Sequence, residues 1–247
     1  MINKYKVDVL AVAAHPDDVE LACGATVAKL TKEGYSVAIV DFTRGEMGTR
    51  GTPEIRIQES IESSKIMGVK FRENLFLPDC GVELNNDSIY KTVSIIRKYK
   101  PNILLMNPPH ERHPDHEAVN RITRNAMFKS GLRKYTTELD GEPQDIHRIR
   151  KMYCYMQSYD FPIEPNFYVD VSNTFQIKMD AIRAYVSQVW VPGKSEPGGP
   201  VTRLSRPEFL DELEARAISF GMKIGCRYAE AFYSTEPIGL DSLSKLL

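Results

Sequence analysis

Short runs rich in Val, Ile and Leu recur at residues 7–13, 37–42, 74–77 and 103–106, and helix-length segments of 3.6-residue periodicity separate them. Near-continuous apolar runs, instead of strict alternation, suit strands buried on both faces. With a helix between each run and the next, the strands must pair in parallel, with helices crossing over the sheet. The expected fold class is therefore α/β, a Rossmann-like, mainly parallel sheet with helices on both faces. The helices are drawn at 23–33, 53–67, 88–99 and 115–130; Thr52 serves as N-cap of the second and Pro53 opens it. Later strands are expected at 152–157, 167–171 and 227–232, later helices at 174–189 and 207–222, and a fraying tail at 240–247. A length of 247 residues with 42% hydrophobic content suffices for one core, and residues 1–247 are read as one domain.

Just past two of these runs the chain repeats a phrase: HPDD at 15–18 and HPDH at 113–116, which together use three of only five histidines. Two of five histidines followed by Pro-Asp has a chance probability of about 10⁻⁴ at average composition. A single His-Pro-Asp reads as a turn, since Pro presets φ and Asp caps the next segment. Two copies at the carboxyl ends of strands read differently, because open α/β sheets bind ligands there. His15 precedes Asp18 by three residues and His113 precedes His116 by three, so in a helical turn each phrase presents two groups to one point. Imidazole and carboxylate suit zinc, and a zinc that acts on substrate keeps three protein ligands. Four candidates for three places leave one free. Asp17 and Asp115, which project differently, are candidates for proton transfer or for orienting a histidine.

With 32 basic and 33 acidic residues the chain has a net charge of −1. It lacks the basic excess that nucleic acid or an anionic membrane surface would require, so small molecules are the expected partners. The four cysteines are scattered without a C-x-x-C pair and are read as reduced thiols in a cytoplasmic protein. The first apolar run is too short to span a bilayer and ends in charges, so no export signal is expected. The glycines at 45, 48 and 51 come after the second run and lack the spacing of a dinucleotide fingerprint. A second Gly/Pro-rich loop, 191–200, is another place where such folds carry sites. Around the first loop stand Arg44, Arg50 and Arg56, which either pair with neighbouring glutamates or bind a carboxylate through two parallel hydrogen bonds. Arg56, on the first turn of its helix, is the best substrate-binding candidate, and Arg148, ahead of a strand, is a weaker one. His110 is read as part of a rigid turn, and Cys23 as a small residue that lets a helix approach the sheet.

The stretch AVAAHPDDVELACGATVAKL followed by RHPDHEAV resembles the LmbE-like (PIG-L) zinc N-deacetylases, whose pattern is A-H-P-D-D and then H-P-D-H about a hundred residues on. The resemblance implies a Rossmann-like sheet holding zinc through His15, Asp18 and His116. It implies Asp17 as general base, His113 as oxyanion stabiliser or acid, and Asp115 as the group that tunes His113. The phrases GTPEIR, IMGV, LPDCGV and GLRKY are similar to a subgroup that deacetylates N-acetylglucosaminyl malate in bacillithiol biosynthesis, where the Arg matching Arg56 faces the malate. The resemblance implies removal of the N-acetyl group from an N-acetylglucosamine-type substrate, with N-acetylglucosaminyl malate as the expected one, by zinc, and with ferrous iron or another divalent ion as the alternative metal. Other acetylated sugars, such as a chitooligosaccharide or a mycothiol-type conjugate, are the alternative substrates. A Rossmann-like nucleotide binder with a structural metal is the alternative from a different class. A homo-oligomer is the expected assembly.

Overall fold

The structure is a computed structural model and describes residues 3–157, 164–195, 199–240 and 242. Strand β1 (Val9–Ala13) leads through helix α1 (Asp18–Lys32) to β2 (Val37–Asp41), and α2 (Pro53–Met67) leads to β3 (Phe71–Asn74). Helix α3 (Asn86–Tyr99), β4 (Ile103–Met106) and α4 (Pro114–Ser130) come next, then a small hairpin of β5 (Glu138–Leu139) and β6 (Glu142–Pro143). The chain continues through β7 (Lys151–Tyr155), β8 (Phe167–Asp170), α5 (Phe175–Arg183), α6 (Phe209–Ile224) and β9 (Ala229–Tyr233). Seven strands form one sheet in the order β3-β2-β1-β4-β7-β9-β8, in which β9 alone runs against its two neighbours. No helix among the described residues is long and apolar enough to cross a membrane. The tail expected at 240–247 lies almost wholly outside the described residues.

Pleating sends alternate residues of β1 to opposite faces. Val9, Ala11 and Ala13 pack with Val19, Val27 and Met67 of α1 and α2, while Leu10 and Val12 pack with Val93 and Ile96 of α3 and Ile122 of α4. These side chains are almost fully buried, each worth about 1.5–3 kcal/mol relative to exposure where it is a full Val, Leu or Ile. Because β2 and β4 both flank β1, connections leave β1 and β4 in opposite directions. A crevice opens at that switch point, beyond the carboxyl ends of the strands.

Most expected elements lie within a few residues of those observed, and two departures have clear causes. Residues 74–77 read as a strand because Leu75 and Leu77 are buried, yet β3 ends at Asn74. Beyond it Leu75 N–H still donates to Asp41 O and Leu77 N–H to Phe42 O, but Phe76, at φ 54°, breaks the extended backbone. Helix α1 begins at Asp18, five residues before the expected start at 23, and breaks near that point, with Cys23 at φ −134° and ψ 22°. A buried ion pair fills the break. Glu230 of β9 accepts from Ala25 N–H (3.1 Å) and Thr26 N–H (2.7 Å), capping the later half of the helix. Lys178 of α5 donates to Ala22 O (3.3 Å) at the end of the first half and to Glu230 Oε1 (2.7 Å). Opposite charges thus sit on the helix ends their dipoles favour.

Candidate functional site

Both repeated phrases are strand-to-helix turns on the neighbouring strands β1 and β4. In the first, Asp17 occupies the N-cap position of α1 and Asp18 opens the helix. In the second, His113 is the N-cap of α4, its Nδ1 accepting the Asp115 N–H at 3.3 Å. That bond places the proton of the neutral His113 ring on Nε2. The helical turns put His15 and Asp18, and His113 and His116, on common faces as their three-residue spacing requires. Their side chains meet. The ring centroids of His15 and His113 are 4.6 Å apart, those of His113 and His116 5.0 Å, and those of His15 and His116 5.4 Å.

Asp18 Oδ2 lies 3.6 Å from His15 Nδ1 and 3.4 Å from His116 Nε2. On the far side of the His15 ring, Nε2 lies 3.0 Å from Asp79 Oδ1 and 3.5 Å from Asp115 Oδ2. Asp79 is fixed by N–H groups of Met47 (2.8 Å) and Cys80 (2.9 Å), and Asp115 by those of Cys80 (2.8 Å) and Val82 (3.3 Å). Burial disfavours a His15 cation, but Asp115, Asp18 and Asp79 outweigh it and hold the ring's pKa well above the usual value. Burial likewise disfavours the Asp18 carboxylate, yet His116 and His15 keep its pKa well below the usual range.

The residues present fit a divalent metal ion. Three imidazoles and three carboxylates converge, with His15, Asp18, Asp115 and His116 buried and His113 and Asp79 half-buried, and their excess of negative charge is one that a cation offsets. His116 Nδ1 is buried with no partner among the described residues. Groups whose ligand atoms all lie within 4.8 Å of one another include His15 with His113 and His116, and His15 with Asp79 and Asp115. A carboxylate behind a candidate ligand histidine, as Asp79 stands behind His15, is the usual arrangement for fixing ring orientation and basicity at metal sites.

Asp17 is held differently. Its φ of 120° lies where side-chain-bearing residues rarely go, a conformation that costs about 1–3 kcal/mol unless its surroundings impose it. Arg56 imposes it: Nη2 donates to Pro16 O at 2.7 Å and lies 3.3 Å from Asp17 Oδ2, while Nη1 donates to Gly45 O at 3.0 Å. Gly45 is obligatory beside it, since it has φ 67° and a Cβ there would stand 1.7 Å from Arg56 Nη1. Burial pushes the Asp17 carboxyl up to about 7, against the pull of the Arg56 charge and with help from Asp18. His113 moves the other way. Burial and the neighbouring His15 and His116 lower its pKa, and the Asp115 charge, which raises it, opposes them without prevailing. The Asp115 carboxylate in fact faces His15, and only its backbone N–H meets the His113 ring.

A cleft of about 250 Å³ opens over the cluster, lined by His15, Asp17, Asp18, His113 and His116 together with Arg56, Cys80, Gln157 and Arg203 among others. Arg56 is in its wall, but its guanidinium hydrogen-bonds inward to the loop instead of presenting a free fork. Arg148 is a correction. It precedes β7, which pairs in parallel with β4, so it lies at the amino edge of the sheet, against Gly131 and opposite the cleft. Arg50 ties the Gly-rich loop to Ser187 O and Pro200 O, and His110 is exposed near Glu117.

Sequence reasoning missed Asp79, Asn107 and Gln157. Asn107 Nδ2 donates to Asp18 Oδ2 at 3.3 Å, and Gln157 Nε2 donates to Asp18 Oδ1. Each comes after the carboxyl end of a parallel strand. A polar residue directly after an apolar run was the signal that could have found them.

The family model described as "PIG-L: GlcNAc-PI de-N-acetylase" matches residues 10–127, the stretch that carries both phrases. The chain is similar to "Diacetylchitobiose deacetylase" of Thermococcus kodakarensis, with 30% identity over 90% of this chain and 80% of that one. It is similar to "Probable N-acetyl-alpha-D-glucosaminyl L-malate deacetylase 2" of Bacillus cereus, with 28% identity over 73% of this chain and 83% of that one. Among solved structures it resembles the conserved protein TT1542 of Thermus thermophilus, with a TM-score of 0.82 and 34% identity over 95% of this chain and 97% of that one. With both phrases inside the matched stretch and a deacetylase relative aligned along nine-tenths of this chain, the chain belongs to the PIG-L, or GlcNAc-PI de-N-acetylase, family.

Proposed function

We propose that the protein removes the acetyl group from the nitrogen of an N-acetylglucosamine unit, using a metal ion held by His15, Asp18 and His116. One observation carries this reading: a carboxylate, Asp17, and an imidazole with Nε2–H, His113, flank that ligand group in a single cleft. When bound, zinc supplies a polarised amide carbonyl and a water acidified towards about pKa 7. Ferrous iron has the same ligand preferences and is the alternative. Asp17, anchored through Arg56, takes the proton of the attacking water. His113, protonated to the imidazolium, donates Nε2–H to the developing oxyanion and then gives that proton to the leaving amine, returning to the neutral ring. Asp79 and Asp115 hold the His15 ring by Nε2, leaving Nδ1 turned to Asp18.

For the rest of the substrate, a neutral disaccharide such as diacetylchitobiose is the first reading. Its support is the extent of the Thermococcus kodakarensis match and the inward commitment of Arg56. N-acetylglucosaminyl malate is the second, favoured by Arg112 and Arg203 on the cleft wall, where an anionic group would be met. Acetate release from diacetylchitobiose, N-acetylglucosaminyl malate and free N-acetylglucosamine tests both. Highest kcat/KM on the disaccharide supports the first reading, highest on the malate conjugate supports the second, and no release from any of them sinks the activity.

A further inference from the structure

Cys80 is the chain's exposed cysteine; Cys23 and Cys154 are buried and Cys226 is half-buried. It stands on the cleft wall with φ 58°, and its N–H reaches both Asp79 Oδ1 (2.9 Å) and Asp115 Oδ2 (2.8 Å). Those bonds fix the residue in the loop after β3 against the first turn of α4. As a result its sulfur, a ring nitrogen of His113 and a carboxylate oxygen of Asp115 lie within 4.8 Å of one another. Donors about 2.0–2.3 Å from a tetrahedral ion stand roughly 3.5 Å apart, so small side-chain rotations close the set. None of the three belongs to the group of His15, Asp18 and His116.

We propose that Cys80, His113 and Asp115 form a second cation site, for a thiophilic divalent ion such as zinc or cadmium, and that filling it inhibits the enzyme. Sulfur with imidazole and carboxylate selects such ions over magnesium or calcium, which prefer oxygen alone. Carboxylates supply the compensating charge: Asp115 is itself a ligand and Asp79 is adjacent. On binding, the thiol releases its proton to solvent and its sulfur becomes the ligand. An ion there holds the His113 ring as a ligand and places positive charge where the leaving amine is protonated. The inhibition rests on the proton-donor role given to His113 above; the site itself does not.

The test starts from protein carrying one zinc per chain, titrated with zinc and, in a second arm, with cadmium. Bound metal is counted by elemental analysis, the cadmium–thiolate bond is read from its ultraviolet charge-transfer absorbance, and acetate release is followed in parallel. Wild type should take up a second equivalent, develop the absorbance with cadmium and lose turnover in step with uptake. Cys80→Ser, and Cys80→Ala beside it, each compared with its own turnover at one zinc, should bind the second ion at least about tenfold more weakly, lose the absorbance and keep that turnover as metal is added. Saturation of the wild type at one equivalent, or equally tight second binding in both variants, would overturn the site and leave the role of His113 standing. Second-ion binding through Cys80 with full turnover would overturn the inhibition and count against His113 as the proton donor.

Discussion

At the residue scale, the hydrogen bonds of Arg56 decide between two accounts of the same side chain. An arginine that reads a substrate carboxylate alters the ratio of activities between anionic and neutral substrates. One that holds Pro16, Gly45 and Asp17 in place lowers all activities together. With its guanidinium on Pro16 O and Gly45 O, Arg56→Ala should reduce kcat/KM on diacetylchitobiose and N-acetylglucosaminyl malate in the same proportion, by about a hundredfold if Asp17 moves by an ångström. A selective loss on the malate conjugate would restore the substrate-reading role. Asp79 permits a second test, because it bears on His15 without being among the three proposed ligands. Asp79→Asn should weaken metal binding by about 10–100-fold, measured by competition with a chelator, and leave the folded stability of the metal-loaded protein nearly intact.

At the element scale, the break in α1 aims the first turn, which carries Asp18, separately from the rest of the helix. Replacing Glu230 with Gln leaves Lys178 buried without its partner charge, which should cost about 3–5 kcal/mol in a denaturant titration. Lys178→Met together with Glu230→Gln should recover part of that loss, and a double variant no more stable than Glu230→Gln would contradict the pairing. This break also shows where the sequence is legible and where it is not. The run at 7–13 and the phrase after it disclose a strand and a turn that carries candidate ligands through local pattern alone. Nothing near Cys23 discloses a break whose cause, Glu230, lies more than two hundred residues further on. Asp79, Gln157 and Asn107 are marked locally only as polar residues after apolar runs, and their partners depend on which strand ends converge. Local pattern also misplaced Arg148, because only the parallel pairing of β7 with β4 shows which edge residue 148 occupies.

At the scale of the whole molecule, the candidate ligands gather in the cleft at the carboxyl edge of the sheet, and the amino edge carries titratable groups whose burial bears on stability. His147 is one of them: its Nε2 lies 2.6 Å from Pro101 O, and burial lowers its pKa below the usual histidine value despite that contact. The folded state thus binds a proton on His147 less readily than the unfolded chain, so stability falls as pH drops through about 6.5 and levels off below the folded pKa. His147→Gln should therefore show a smaller fall in Tm between about pH 7.5 and 5.5 than the wild type, and an equal or larger fall would contradict this assignment. The central claim concerns the other edge, where one four-residue phrase divides its two carboxylates between holding a metal and moving a proton. Its most direct test is metal content per chain measured on the same preparations as acetate release. Asp18→Ala should lose both metal and turnover, and Asp17→Asn should keep the metal while losing turnover; equal loss of metal in the two variants, or undiminished turnover in Asp17→Asn, would contradict the account.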